Sequence, residues 1–274
     1  MERHDFAKPG EYTLADLMTV AASREVNDNE VVFAGTGMPM IAIMLAQRTH
    51  APNLKLIFEA GTFDGRPNVI PTSVGDPRCE GGASRASGLC EAFSIAQRGY
   101  VDLGFLGGAE VDEYGNVNTT AIGNYLDPNL RLTGSGGNPD INSFARRTVF
   151  IMVHEARRFT RNVSYITSPG WRVKKWPSGE FVHRRELYGS AFRGGPSAVI
   201  STAGVFRFDE DTGRMYLDTY HPGKTPEEIK GLCQFDLDIS RVKGETAPPN
   251  YDELHIIHEV LDKEEIFLPK PKKS

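Results

Sequence analysis

Apolar positions in the chain follow two periods, and the switches between them mark its elements. Leu14, Leu17, Met18 and Ala21 recur at helical spacing. They predict a helix ending near Val26, capped by Thr13, with Asp16 three residues on as in a capping box. The unbroken run 31–34 reads as a buried strand that breaks into Gly35-Thr36-Gly37-Met38-Pro39. Pro39 suits the first turn of a helix, which continues from Met40 to Gln47. Residues 54–58, interrupted once by Lys55, form the next strand and run straight into Glu59-Ala60-Gly61. Strand, Gly-rich turn, helix, strand is one βαβ unit of a parallel sheet.

Residues 60–82 are rich in Gly and Pro without a clear period, a length that in a compact domain signals a functional or mobile loop. A helix over 87–98 follows, with Leu89, Phe93 and Ala96 on one face. The strand 101–106 then ends at Gly107-Gly108-Ala109. Tyr114-Gly115-Asn116 reads as a turn between two short extended pieces. Residues 132–137 make a second Gly-rich break before a short helix from Asn138. Strands are expected over 148–153, 163–167 and 198–202, with 172–196 a polar, irregular insertion. Residues 205–208 and 215–217 flank Asp211-Thr212-Gly213 as a hairpin. Thr225-Pro226-Glu227-Glu228 opens a capped helix, and a final helix spans 251–261 before a short basic tail. No repeat and no shift of composition divides the chain. Residues 1–274 therefore read as a single α/β domain with an open, mostly parallel sheet and flanking helices.

Composition narrows the class. At 274 residues, 39% hydrophobic and 24% charged, the chain is globular. Its 31 basic and 36 acidic residues leave a net charge of -5, which argues against a nucleic-acid partner. Three cysteines without metal-ligand spacing suit a reducing compartment. The polar N-terminus does not fit a secretory signal, and no apolar run reaches the ~20 residues of a membrane span. A cytoplasmic protein is expected, with no membrane partner.

The candidate chemistry sits at strand ends. In an open α/β sheet, ligands bind outside the carboxyl ends of the strands. Glu59 stands at such an end, placed either as a nucleophile or as a strand-terminating cap. Gly35-Thr36-Gly37 and Gly107-Gly108-Ala109 follow two further strands. Such turns free backbone N–H groups for an oxyanion or a phosphate, or serve only as tight turns. The first lacks the third Gly of a dinucleotide fingerprint, because position 40 is Met, and no Walker loop is present. No Gly-x-Ser-x-Gly elbow supports a serine hydrolase. The seven histidines form no metal site: His255 and His258, three apart, are read as surface residues, and His154 as structural. Cys79 and Cys90 are read as buried thiols.

Seven segments in order carry a family resemblance over nearly the whole chain. They are Gly35-Thr36-Gly37-Met38-Pro39, Glu59-Ala60-Gly61 and Ser73-Val74-Gly75-Asp76, then the stretch 107–118. Thr133-Gly134-Ser135-Gly136-Gly137, the stretch 154–159 and Thr167-Ser168-Pro169-Gly170-Trp171 complete them. In these the chain resembles the β subunits of class I CoA-transferases, most of all the glutaconate type. The resemblance implies a CoA-transferase-like fold and a homologous α subunit as partner. It implies acyl-CoA and a carboxylic acid, such as a dicarboxylate, as substrates. Coenzyme A enters as substrate, with no permanently bound cofactor and no metal. It also implies that Glu59 is the catalytic nucleophile, forming a glutamyl-CoA thioester. Gly35, Thr36, Gly37, Gly107, Gly108 and Ala109 become candidate oxyanion or CoA-binding positions. Family members carry Ser or Asn after the catalytic Glu where this chain has Ala60, which bears on the choice of acid. Relatives on the same scaffold include a ring-opening hydrolase and a decarboxylase, and the latter has lost the Glu. Retention of Glu59 therefore favours transfer over acyl-CoA hydrolysis, decarboxylation or a non-catalytic CoA-binding subunit.

Overall fold

The computed structural model describes residues 5–35, 37–189 and 194–271. The chain packs as two compact units. One is built from residues up to 95, 100–105 and from 246 on, the other from 96–99 and 106–245.

In the first unit, α1 (Leu14–Ser23) starts at the predicted capping box: Thr13 Oγ1 accepts from Asp16 N, and the Asp16 carboxylate accepts from Thr13 N at 2.8 Å. Leu17, Met18 and Ala21 are buried, while Leu14 of the same predicted face is exposed. β1 (Val31–Ala34) leads through α2 (Met38–Arg48) to β2 (Lys55–Phe58). β1 and β2 pair in parallel, with Val31 opposite Lys55 and Ala34 opposite Phe58. β3 (Thr62–Phe63) and β4 (Arg85–Ala86) extend that edge antiparallel. After α3 (Leu89–Gln97), β5 (Leu103–Gly107) pairs in parallel with the other side of β1. The strand order is β5-β1-β2-β3-β4. Every residue of α2 from Met40 to Ala46 is fully buried. A helix apolar on all sides needs cover on all sides. α1, β1 and the C-terminal turn Ile256–Leu261 supply it.

Two expectations change in this unit. The loop 60–82 is fastened at many points rather than free. Arg48 donates to Pro67 O at 2.8 Å, Gln47 to Gly65 O at 3.2 Å, and Arg66 N to Gly81 O at 2.7 Å. The last helix, Tyr251–His255, widens into a π-helical turn over Ile256–Leu261. The widened turn carries His258 inward with Ile257 and Leu261. His258 is thus buried, not at the surface, and its Nε2 lies 3.0 Å from Asp16 Oδ1, close enough for an ion pair but without hydrogen-bond geometry.

In the second unit, β6 (Glu110–Val111) and β7 (Val117–Asn118) form the predicted pair around Tyr114-Gly115-Asn116. The Asp112 carboxylate shapes that turn, accepting from Tyr114 N at 2.9 Å and Asn116 N at 3.0 Å. β8 (Ala121–Gly123) and β9 (Pro128–Arg131) make a second hairpin, then α4 (Asn138–Phe144) leads to β10 (Arg147–Met152). β11 (Arg172–Lys174) and β12 (Phe181–His183) pair antiparallel ahead of α5 (Arg184–Tyr188). β13 (Pro196–Ser201) lies parallel to β10, with β14 (Gly204–Phe208) and β15 (Met215–Tyr220) added antiparallel as the predicted hairpin. α6 (Pro226–Gly231) carries a capping box between Thr225 and Glu228. Phe150, Phe159, Val199, Phe206, Leu217 and Leu237 form the centre of the core.

The expected strand over 163–167 is absent, because side chains take over the bonds a ladder would make. Ser164 N and Oγ donate to the Glu110 carboxylate at 2.7 and 3.0 Å, and Thr167 Oγ1 accepts from Thr119 N at 2.9 Å. The segment 172–196, expected to be irregular, holds the β11–β12 hairpin and α5. It is anchored by buried Val173, Val182 and Arg184.

Candidate active site

Glu59 follows β2 directly. Leu56, Ile57 and Phe58 are buried, so the backbone that carries the carboxyl group is held by the core. Gly61 fixes the turn. Its N–H donates to Phe58 O at 2.9 Å, and its φ of +109° is open to Gly but costly for other residues. A Cβ there would lie 2.5 Å from the Gly88 backbone. The Glu-x-Gly spacing thus has a local cause: only Gly at position 61 lets the chain pass Gly88 and turn back. Glu59 is half-buried, and burial raises its pKa above the ordinary carboxylate value. Among the described residues no side chain or backbone group is bonded to that carboxylate. A partnerless, partly desolvated acid at a strand end is the kind of group that structural ion pairs do not explain.

Parallel pairing of β1 and β2 brings Gly35 and Glu59 to the same level, each one residue past the last matched pair. Gly37, at φ +86°, caps α2 and accepts from Met40 N at 3.0 Å. Thr36 lies outside the described residues. Ala60 faces the Ser73–Asp76 segment, 3.8 Å from where a Gly75 Cβ would stand. That segment is braced by Asp76, whose carboxylate accepts from Thr72 and Arg78 and is held well below the usual range, chiefly by Arg78. Cys79 beside it is buried, and desolvation pushes its thiol up to about 11, which suits packing rather than nucleophilic attack. Cys90, in contrast to the expectation, is exposed on α3: the buried positions of that helix are Ala92 and Ala96.

The second unit holds a cavity of about 850 Å³ on whose wall the two Gly-rich breaks meet, Gly107-Gly108-Ala109 and residues 133–136. Thr119 joins them to the rest: its Oγ1 donates to Gly134 O at 2.8 Å and its carbonyl accepts from Gly134 N. Asn138 holds the first turn, donating from Nδ2 to Gly107 O at 3.1 Å, and its Oδ1 accepts from Ser168 Oγ at 2.9 Å. Ala109 N donates to Asn118 O at 2.9 Å, so that amide is committed within the fold. No described residue accepts from the Gly108 amide. Gly170 packs against the 114–116 turn so closely that a Cβ would strike Tyr114 O. Four of the seven segments singled out in the sequence (107–118, 133–137, 154–159 and 167–171) thus bear on one another around this cavity. Two cations also stand on its wall: Arg158, within the stretch 154–159 that carries the family resemblance, and Arg131, which lies in none of those segments. The one signal for Arg131 is its place just ahead of the Gly-rich break. Among the described residues no group of three His, Cys, Asp or Glu is placed to hold a metal. No helix among them is long and apolar enough to cross a membrane.

Comparison with known proteins gives the family. Residues 15–231 match the coenzyme A transferase family. The chain is 36% identical over 269 residues to the B-type subunit of glutaconate CoA-transferase from Acidaminococcus fermentans, covering 96% of this chain and 97% of that one. It is 34% identical to the B-type subunit of 3-oxoadipate CoA-transferase from Pseudomonas knackmussii, covering 90% and 92%. It is 26% identical to the IpdB chain of the cholesterol ring-cleaving hydrolase from Mycobacterium tuberculosis, covering 91% and 95%. The crystal structure of the Acidaminococcus glutaconate coenzyme A-transferase superimposes with a TM-score of 0.86 at 34% identity, covering 97% of this chain and 100% of that one. With its mixed α/β fold, parallel strands at the centre of the sheet and this match along its length, the chain belongs to the coenzyme A transferase family, as a CoA-transferase subunit of the B type.

Proposed function

We propose that this subunit, with a homologous partner subunit, moves CoA from an acyl-CoA to a free carboxylic acid through a thioester on Glu59. The observation that carries the reading is Glu59 itself: a carboxylate at the end of a buried strand, without a bonded partner among the described residues and with its pKa raised by burial. A desolvated carboxylate is less stabilised by water and attacks more readily. Its oxygen adds to the thioester carbonyl, the C–S bond breaks, and CoA leaves as thiolate, giving an acyl-glutamyl anhydride. The thiolate adds to the glutamyl carbonyl and the first acid leaves as carboxylate. The second acid then attacks the glutamyl-CoA thioester, expelling the thiolate. That thiolate attacks the acyl carbonyl of the new anhydride, giving the new acyl-CoA and free Glu59. Each step exchanges one acyl bond for another of similar energy, so the sequence consumes no ATP.

Amides of Gly35, Thr36 and Gly37 and of the Gly107–Ala109 turn are the proposed oxyanion donors. Within the latter, the uncommitted Gly108 amide suits the role better than that of Ala109. The acids named for the two CoA-transferase relatives, glutaconate and 3-oxoadipate, both have two carboxylates, which supports a dicarboxylic acyl group here. Ala60 lies 3.8 Å from where a Gly75 Cβ would stand, so a larger residue at position 60 would press on the Ser73–Asp76 segment beside Glu59.

The test uses the complex of both subunits. Borohydride added after acyl-CoA should reduce a thioester found by peptide mass at Glu59. Glu59→Ala should lower transfer by a factor on the order of 10⁴ or more while the complex stays assembled. Total thioester should stay constant as labelled CoA moves between acids. Loss of thioester at a rate independent of the acceptor acid, or release of carbon dioxide, would assign the protein to hydrolysis or decarboxylation instead.

A further inference from the structure

Arg131 ends β9 and lines the cavity of the second unit. Its guanidinium lies over the Tyr125 ring at 4.9 Å, and one NH2 group donates to Tyr125 O at 2.9 Å. Tyr125 is in turn stacked on Tyr165, with ring centroids 5.2 Å apart. This stack sets the plane of the guanidinium and leaves most of its five N–H donors uncommitted. No carboxylate pairs with it among the described residues. The other cation of the wall, Arg158, is differently placed, with Nε 3.1 Å from Glu155 Oε2. Among the described residues no Asp or Glu lines the cavity, although the chain as a whole carries a net charge of -5. An oriented, uncompensated guanidinium in an acid-free cavity is suited to bind a carboxylate or phosphate through two parallel hydrogen bonds.

Gly107 points the same way independently. Its φ is not in the left-handed region, and nothing lies within 4 Å of where its Cβ would be. Neither the backbone nor the packing requires glycine there, so its missing side chain serves to keep the cavity open.

We propose that Arg131 is a specificity-determining residue that holds an anionic group of the substrate in this cavity, either the remote carboxylate of a dicarboxylic acyl chain or a phosphate of CoA. The assignment rests on the CoA-transferase reading above. The cavity volume of about 850 Å³ lies within the range of small-molecule sites and has room for either group with its attached chain.

The test compares the native two-subunit complex with Arg131→Gln and Arg131→Lys, after thermal melts have shown that the variants are folded. Calorimetric titration is run with glutaconate, with crotonate (the same chain without the second carboxylate), with CoA, and with pantetheine, which has no phosphate. If the anion is the acyl carboxylate, Arg131→Gln weakens glutaconate roughly 10- to 100-fold and leaves crotonate within twofold. If it is a CoA phosphate, the same loss falls on CoA and spares pantetheine. Arg131→Lys restores part of either loss, since it keeps the charge but not the fork. In turnover the effect appears in KM and in the ratio of dicarboxylic to monocarboxylic acceptors. Unchanged affinity for all four ligands overturns the assignment, as does an equal loss for glutaconate and crotonate or for CoA and pantetheine. A native complex that binds these ligands in an Arg131-dependent way but transfers no CoA would keep the anion site and remove the transferase reading.

Discussion

At the scale of single residues, burial and backbone geometry separate groups that hold the fold from groups that act. Glu59 has its pKa raised by burial, and no described bond offsets the cost. For an acid with a raised folded pKa, stability falls as pH climbs from the unfolded value of 4.5 through the folded one. Glu59→Gln removes that cost, so at neutral pH its melting temperature should be no lower than the native value even as transfer is lost. A clear drop in melting temperature would show that the carboxylate supports the fold. Gly170 is the opposite case. A Cβ there would collide with Tyr114 O and the Gly115–Asn116 backbone, none of it the end of a flexible side chain. Gly170→Ala should destabilise the second unit by about 2 kcal/mol or more, read in urea titrations. Gly107→Ala, which meets nothing within 4 Å, should melt as the native chain does. These two glycines look alike in the sequence, and only their neighbours tell them apart.

At the scale of elements, capping residues and turn chemistry were legible and partner choice was not. The Thr13–Asp16 and Thr225–Glu228 boxes, the Asp112 turn and the hairpin at Asp211-Thr212-Gly213 are local, so their residues suffice to predict them. The segment 172–196 looks irregular in sequence because its anchors are distant along the chain. Arg184 is 2% exposed, with burial lowering its pKa to about 10. It donates to Pro169 O at 3.1 Å and to Asn142 O at 3.3 Å, and Asn142 Nδ2 donates to the same Pro169 carbonyl at 2.7 Å. This polar cluster ties α4 and α5 to the segment ahead of β11. Arg184→Ala would leave buried carbonyls short of donors and open a void. We expect a loss of about 3 kcal/mol in urea unfolding, with a smaller loss for Arg184→Lys. A loss below about 1 kcal/mol would mean that water satisfies these groups.

At the scale of the whole molecule, acid sensitivity follows from two buried histidines. His154 lies against Phe159 and Phe206 with Nε2 3.2 Å from Ile229 O, and His221 Nε2 is 2.8 Å from Ser201 O. Desolvation lowers both from 6.5 to about 4. The folded protein therefore keeps them neutral where the unfolded chain takes up protons. Stability is fully present above pH 6.5 and declines as pH falls toward 4, by on the order of 3 kcal/mol for each histidine. Denaturant midpoints measured across that window should fall with pH, and His221→Gln should flatten the slope. A flat native profile would count against both lowered values. Family, the first βαβ unit, the capped helices and the place of Glu59 at a strand end were determined by the sequence itself, because periodicity, caps and Gly-rich breaks act over a few residues. The tertiary structure alone decided that Glu59 lacks a partner and that Arg131 stands on a cavity wall without Asp or Glu, both among the described residues, and that His258 faces inward. Burial and charge compensation are set by groups far apart in the chain, and no local pattern encodes which of them will meet.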